Sequence, residues 1–155
     1  MDIWQMALIV VGVAMLPLSE LRGAIPLAII HYHLAPLTAY LLSVTGNFLP
    51  VIPLLLGLDR LVGRLSRKAT LDRLITRFFA HTRRRYNGRI SEAGSLGLVA
   101  LVAIPLPFTG AWTGVLVAWL FGVPFRYAWP LIALGILIAG LLVTFSTVEA
   151  VHLFS

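Results

Sequence analysis

Apolar residues run along the chain in two unbroken stretches, two broken ones, and one stretch where they alternate with arginines. Residues 38–58 and 127–148 carry no charge over 21 and 22 positions. Each is long enough to cross a hydrocarbon layer of ~30 Å, so the pattern predicts two spanning helices. The first contains Gly46-Asn47, Pro50 and Pro53 and is expected to kink or unwind; the second contains Pro130, Gly135 and Gly140 and is expected to pack closely on a neighbour.

Residues 3–34 and 97–123 are apolar but interrupted at their centres, from Pro17 to Pro26 in one and from Pro105 to Gly114 in the other. Two half-length arms around a Pro/Gly-rich bend make a re-entrant hairpin, which membrane depth tolerates only where the irregular backbone is buried in protein or lines a cavity. Two such hairpins are expected, with Pro17, Pro26, Pro105, Pro107 and Gly114 shaping the bends. If both interrupted segments cross fully instead, there are four spans. A signal peptide over residues 1–20 fits poorly, because Asp2 stands where a basic region belongs and Glu20 to Arg22 where a small-residue cleavage site belongs.

In the remaining stretch, 59–92, Leu58, Leu61, Val62 and Leu65, then Leu71, Leu74, Ile75, Phe78 and Phe79, recur at steps of three and four. That is the period of an amphipathic helix or helix pair. Thr70 offers an N-cap, and Asn87-Gly88 a stop after Arg83-Arg84-Arg85.

Composition makes the bilayer the expected solvent. The chain is 59% hydrophobic and 12% charged, with a mean hydropathy of +0.95, the wrong balance for a water-soluble domain of 155 residues. Ten of the twelve basic residues and three of the six acidic ones lie between Asp59 and Glu92. A short Lys/Arg-rich loop between apolar segments stays cytoplasmic, so 59–92 is expected on the cytoplasmic side of the membrane, lying on anionic lipid. No motif supports nucleic-acid binding. With no cysteine there is no thiolate site and no disulfide framework.

The two halves align on one another. Pro17, Gly23, Pro36 and Gly46 match Pro105, Gly110, Pro124 and Gly135 at offsets of 87 to 89, which suggests an internal repeat. One hairpin plus one span per half gives inverted halves with both termini outside. The expected fold is therefore all-α and integral to the membrane, one domain over 1–155. Its first half-repeat is 1–58, the basic linker 59–92, and the second half-repeat 93–155.

Among the few charged residues outside the linker, Glu20 and Arg22 sit together in the first bend. A charge at bilayer depth costs roughly 2.5–3.5 kcal/mol on insertion scales, so such residues persist where they face a cavity, pair, or act on substrate. The second bend offers Thr109, Gly110, Trp112 and Thr113: hydroxyls, an indole N–H and free backbone amides. If arms begin near Ala24 and Ala111, two half-helix N-termini point at the midplane and favour an anion. Arg22 then takes a phosphate or carboxylate while Glu20 exchanges a proton, with Gly23 and Gly110 letting backbone approach and Asn47 needing a partner inside the kinked span. Helix packing is an equally available role for Thr109, Thr113 and Gly110. His31 and His33 are i,i+2 and point apart on a helix, while His81 and His152 are isolated, so no metal site and no cofactor is expected. No nucleophile-base set is present, and an enzyme is not expected.

The segments SELRGAIPLA at 19–28 and IPLPFTGAWTG at 104–114, with Arg83-Arg84-Arg85 in the linker and the overall length, resemble the small multidrug export family of prokaryotic membrane proteins. Phe108 departs from the smaller residue expected there. The family is similar in architecture to DedA and VTT-type proteins. The resemblance implies paired re-entrant hairpins meeting at the midplane and a proton-coupled secondary transporter of an amphipathic substrate, with a lipid phosphate (phospholipid or polyprenyl phosphate) favoured. A lipophilic cationic drug is the alternative cargo, and a non-transporting scaffold that organises lipid the alternative class. With so few spans, the bends need cover from a second protomer, so a homo-oligomer, a dimer first, is expected.

Overall fold

The computed structural model describes residues 2–65, 77, 80, 96–104 and 109–154, and every element among them is helical. Helix α1 is Ile3–Met15 and α2 is Glu20–Pro26, which runs into a π-turn over Leu27–His31. Helix α3 is Pro36–Phe48 and α4 is Val51–Leu65. The described part of α5 is 96–103; α6 is Ala111–Leu120 and α7 is Phe125–Phe154. Prolines set several boundaries. Leu16 and Ala35, each preceding a proline, are extended, because the ring of the next residue excludes helical geometry. Pro36 then opens α3 at a position whose N–H would be orphaned anyway.

The expected spans 38–58 and 127–148 fall inside Pro36–Leu58 and Phe125–Leu153, two helical stretches long and apolar enough to cross a membrane. The expected break in the first is present and lies at Leu49-Pro50, between α3 and α4. Pro50 lacks the N–H to continue the ladder, whereas Pro53 falls in the first turn of α4, where none is required. Gly46 and Asn47 are buried, regular helix.

Both interrupted segments fold back on themselves. In the first, Val10 and Ala14 of α1 share a buried cluster with Ala24 and Ala28 beyond the bend and with Ala39 of α3. The turn itself is only 16–19, so α2 starts at Glu20 and not near Ala24. Pro26, expected in the bend, lies instead at the end of α2. Its missing N–H lifts an i→i−4 bond, and the chain continues in the wider π form, with Tyr32 N–H bonded to the Leu27 carbonyl at 3.2 Å. In the second, Gly114 is also not in the bend; it is buried one turn into α6, where an added Cβ would strike Val102 of α5. At 13 and 10 residues, α1 and α6 are each shorter than the roughly 20 residues needed to cross a bilayer.

The larger core joins both halves: Leu21 and Ile25 of α2, Val51 and Leu58 of α4, Val115 and Ala118 of α6, and Ile132 and Ile136 of α7. Small residues bring the helices close. A Cβ on Gly46 would meet the Val11 carbonyl and Ala14 of α1; a Cβ on Gly135 would meet the Val99 carbonyl and Val102 of α5. Each long helix thus clasps the arm that leads into a bend, through residues 88 or 89 positions apart.

Of the linker 59–92, residues 59–65 continue α4, and the rest apart from Arg77 and Ala80 lies outside the described residues, as do Pro105, Pro107 and Phe108. Arg77 and Ala80 are helical and exposed.

Candidate functional site

The two bends meet, and the polar groups of each bond to the other. Glu20 opens α2 with φ +46, a left-handed conformation that costs a residue with a Cβ roughly 1–2 kcal/mol. Its N–H bonds the Leu16 carbonyl at 3.0 Å, and the Ser19 hydroxyl donates to the Val13 carbonyl at 2.6 Å. These bonds hold the turn while the Glu20 side chain crosses to α6. It is 5% exposed, and its carboxylate accepts from the backbone N–H groups of Ala111 and Trp112 and from the side-chain amide of Asn47. The Trp112 bond is 3.4 Å, at the long end of the range. Ala111 and Trp112 are the first two residues of α6. The acceptor at this helix N-terminus, where unpaired N–H groups and the positive dipole end converge, is therefore the carboxyl group of Glu20 itself.

Gly110 makes that approach feasible. It is buried at φ +143, a conformation open to glycine, and an added Cβ would occupy the space of the Glu20 carboxylate. Arg22, two residues on, reaches the same bend from the other side, donating through Nη2 to the Thr109 carbonyl at 2.5 Å and to Thr109 Oγ1 at 3.0 Å. Thr109 Oγ1 in turn donates to the Ile104 carbonyl at 2.8 Å, closing the second bend on itself. The Trp112 indole N–H caps α1 by donating to the Met15 carbonyl at 3.1 Å.

Glu20, Arg22, Asn47, Thr109, Gly110 and Trp112 are thus brought together. Thr113 is half-buried in the first turn of α6, and Gly23 faces Ser19 and Val13, inside the first hairpin. Asn47 is 1% exposed; its Oδ1 has no hydrogen-bond partner, nor does the Oγ of buried Ser43 one turn earlier on α3. His31 and His33 are exposed beyond α2, with the His31 and Tyr32 rings 4.9 Å apart. Among the described residues no three His, Cys, Asp or Glu side chains converge on a point that would hold a metal.

Sequence reasoning anticipated the start of α6 near Ala111, but not that a carboxyl of the chain itself sits there. It also missed Ser19, the Met15 carbonyl and Ser43.

Arg22 also lines an open groove of ≈ 430 Å³ between α2 and α7, together with Pro26, Ile30, Val143, Ser146, Thr147 and Ala150.

A family model described as "Putative small multi-drug export protein" matches residues 20–142, which run from Glu20, just after the first bend, through the basic linker and the second bend to Leu142 in α7. Neither a curated protein nor a solved structure matches the chain.

Proposed function

The chain belongs to the "Putative small multi-drug export protein" family, and from that premise we propose that it is a proton-coupled secondary exporter of an amphipathic substrate, with a lipid phosphate favoured, working at the junction of the two bends. Its setting is the prokaryotic inner membrane. The two folded-back segments act as re-entrant hairpins of an inverted repeat, and the basic linker lies on the cytoplasmic leaflet. The equivalent clasps at Gly46 and Gly135 support the repeat. Architecture of the DedA type is part of the same proposal.

One observation carries the functional reading: the Glu20 carboxylate occupies the N-terminus of α6. The donors that hold it, two backbone N–H groups and an amide, are those a phosphate or carboxylate on a substrate would use. Substrate anion and ionised Glu20 therefore compete for one place. A proton delivered to Glu20 removes its charge, weakens its hold on the helix end and frees the donors for substrate; loss of that proton expels the substrate. Arg22 supplies a fixed positive charge beside the exchange, and Thr109 holds it in position. The same positive charge disfavours a lipophilic cation as cargo.

A scaffold role is the second reading, favoured by the bonds from Arg22 to Thr109, Trp112 to Glu20 and Trp112 to Met15, which by themselves hold the two hairpins together. Proteoliposomes separate the two. Wild type should move a fluorescent phosphatidylglycerol with the proton gradient, while well-folded Glu20→Gln and Arg22→Ala should not. Movement unchanged in both variants would sink the exchange mechanism, and efflux of a cationic dye dependent on Glu20 alone would move the cargo to lipophilic cations. Cover for the outer faces of α1 and α7, where Trp4, Leu8, Leu141 and Phe145 are exposed, is assigned to lipid and to a second protomer in a dimer.

A further inference from the structure

The groove between α2 and α7 has a polarity of its own. Arg22, Pro26 and Ile30 follow one another at four-residue steps, and Val143, Ser146, Thr147 and Ala150 form the facing stripe on α7. Arg22 is the charged group at one end, and Ile30 at the other is 54% exposed. The hydroxyls on the α7 side already bond to their own helix, Ser146 to the Leu142 carbonyl and Thr147 to the Val143 carbonyl, both at 2.7 Å. They make the wall mildly polar without demanding a ligand. The groove is thus a cationic end joined to an apolar channel that opens sideways, and among its lining residues none is acidic.

We infer that this groove binds an anionic phospholipid, its phosphate beside Arg22 and an acyl chain along Pro26, Ile30, Val143 and Ala150. Charge complementarity selects the head group, since a zwitterionic lipid brings its own cation to the arginine. Volume selects the remainder: ≈ 430 Å³ accommodates part of one chain, and the open side leaves the rest in the bilayer. Arg22 stays bonded to Thr109, and the phosphate is drawn by the charge of the guanidinium, most strongly when Glu20 beside it carries a proton. The inference rests on placing α2 and α7 within the membrane, and it gives the proposed exporter a lateral point of entry.

The chain has no cysteine, so a single label is free of background. Ser146→Cys carrying a bimane would be reconstituted with nitroxide-labelled phosphatidylglycerol or phosphatidylcholine, beside Leu141→Cys, which is 60% exposed on the same helix and outside the groove. Quenching at 146 should favour the anionic lipid at least about twofold, against a ratio near one at 141, and Arg22→Gln should bring the ratio at 146 to that of the control. Ala150→Trp, which fills the apolar end without touching Arg22, should reduce quenching at 146 by both lipids. Equal ratios at 146 and 141, or quenching indifferent to Ala150→Trp in a monodisperse protein, would overturn the site. Lipid preference that persists without any transport would leave the groove standing and remove the exporter; transport without preference would do the reverse.

Discussion

At the scale of single residues, the candidate site ties the two halves of the chain together through Glu20 at the start of α6, Arg22 on Thr109 and Trp112 on Met15. Glu20→Gln keeps the shape and part of the hydrogen bonding but removes the charge that faces the start of α6. It should cost about 1–3 kcal/mol in thermal unfolding in detergent while abolishing proton-coupled movement. Gly110→Ala should be at least as damaging, because it combines a forbidden φ with a collision against the carboxylate; a cost of about 1–3 kcal/mol is expected for the backbone alone. Adding Glu20→Ala removes the collision but not the backbone strain, so the double variant should lose less than the sum of the two singles. Strict additivity would mean that the two groups do not share that space. Thr109→Val removes the side-chain acceptor of Arg22, leaving the backbone carbonyl, together with the bond that closes the second bend, and should loosen the site without altering its charge.

At the scale of elements, glycines divide by what faces them. Gly12 in α1 and Gly57 in α4 have nothing within reach of an added Cβ, so Gly12→Ala and Gly57→Ala should stabilise by about 0.5–1 kcal/mol. Gly46→Ala should do the opposite, because the atoms it meets include the backbone of α1, which cannot rotate away; melting temperatures of the three variants give the comparison. What the sequence made legible at this scale follows the same division. Long charge-free stretches marked the two spans, since length and hydrophobicity are summed over many residues and one misplaced proline changes little. Boundaries set by Pro17 and Pro36 were also legible, because the exclusion acts on the immediate neighbour. Pro26 and Gly114 were misplaced for a physical reason: a proline late in a helix is absorbed by a π-turn, and a glycine inside a helix serves a partner helix as readily as a bend. Neither outcome is encoded within a few residues of the position itself. The pairing of Glu20 with Ala111 and Trp112 lies further out of reach, because it depends on the three-dimensional meeting of segments whose local sequences are silent about one another.

At the scale of the whole molecule, the buried core that links α2, α4, α6 and α7 means that neither half has a complete interior alone. Residues 1–58 expressed by themselves should be degraded or aggregate, and co-expression with the second half should restore them, as measured by protease resistance in membranes. Cross-linking in native membranes should give a dimer, and monomer alone would leave the exposed apolar faces of α1 and α7 to lipid. The interlocked bends also impose a timetable on synthesis. The Glu20 carboxyl and the Trp112 N–H are separated by 92 residues, and at ~5–20 residues per second the ribosome needs roughly 5–20 s to supply the second after the first. Throughout that interval a carboxylate and a guanidinium have entered the membrane machinery without the backbone that will receive them. The first hairpin must therefore be sheltered from lipid, in the insertion channel or against a chaperone, until α6 emerges, and slowing translation downstream of the linker should lower the yield of folded protein without changing a single contact in it.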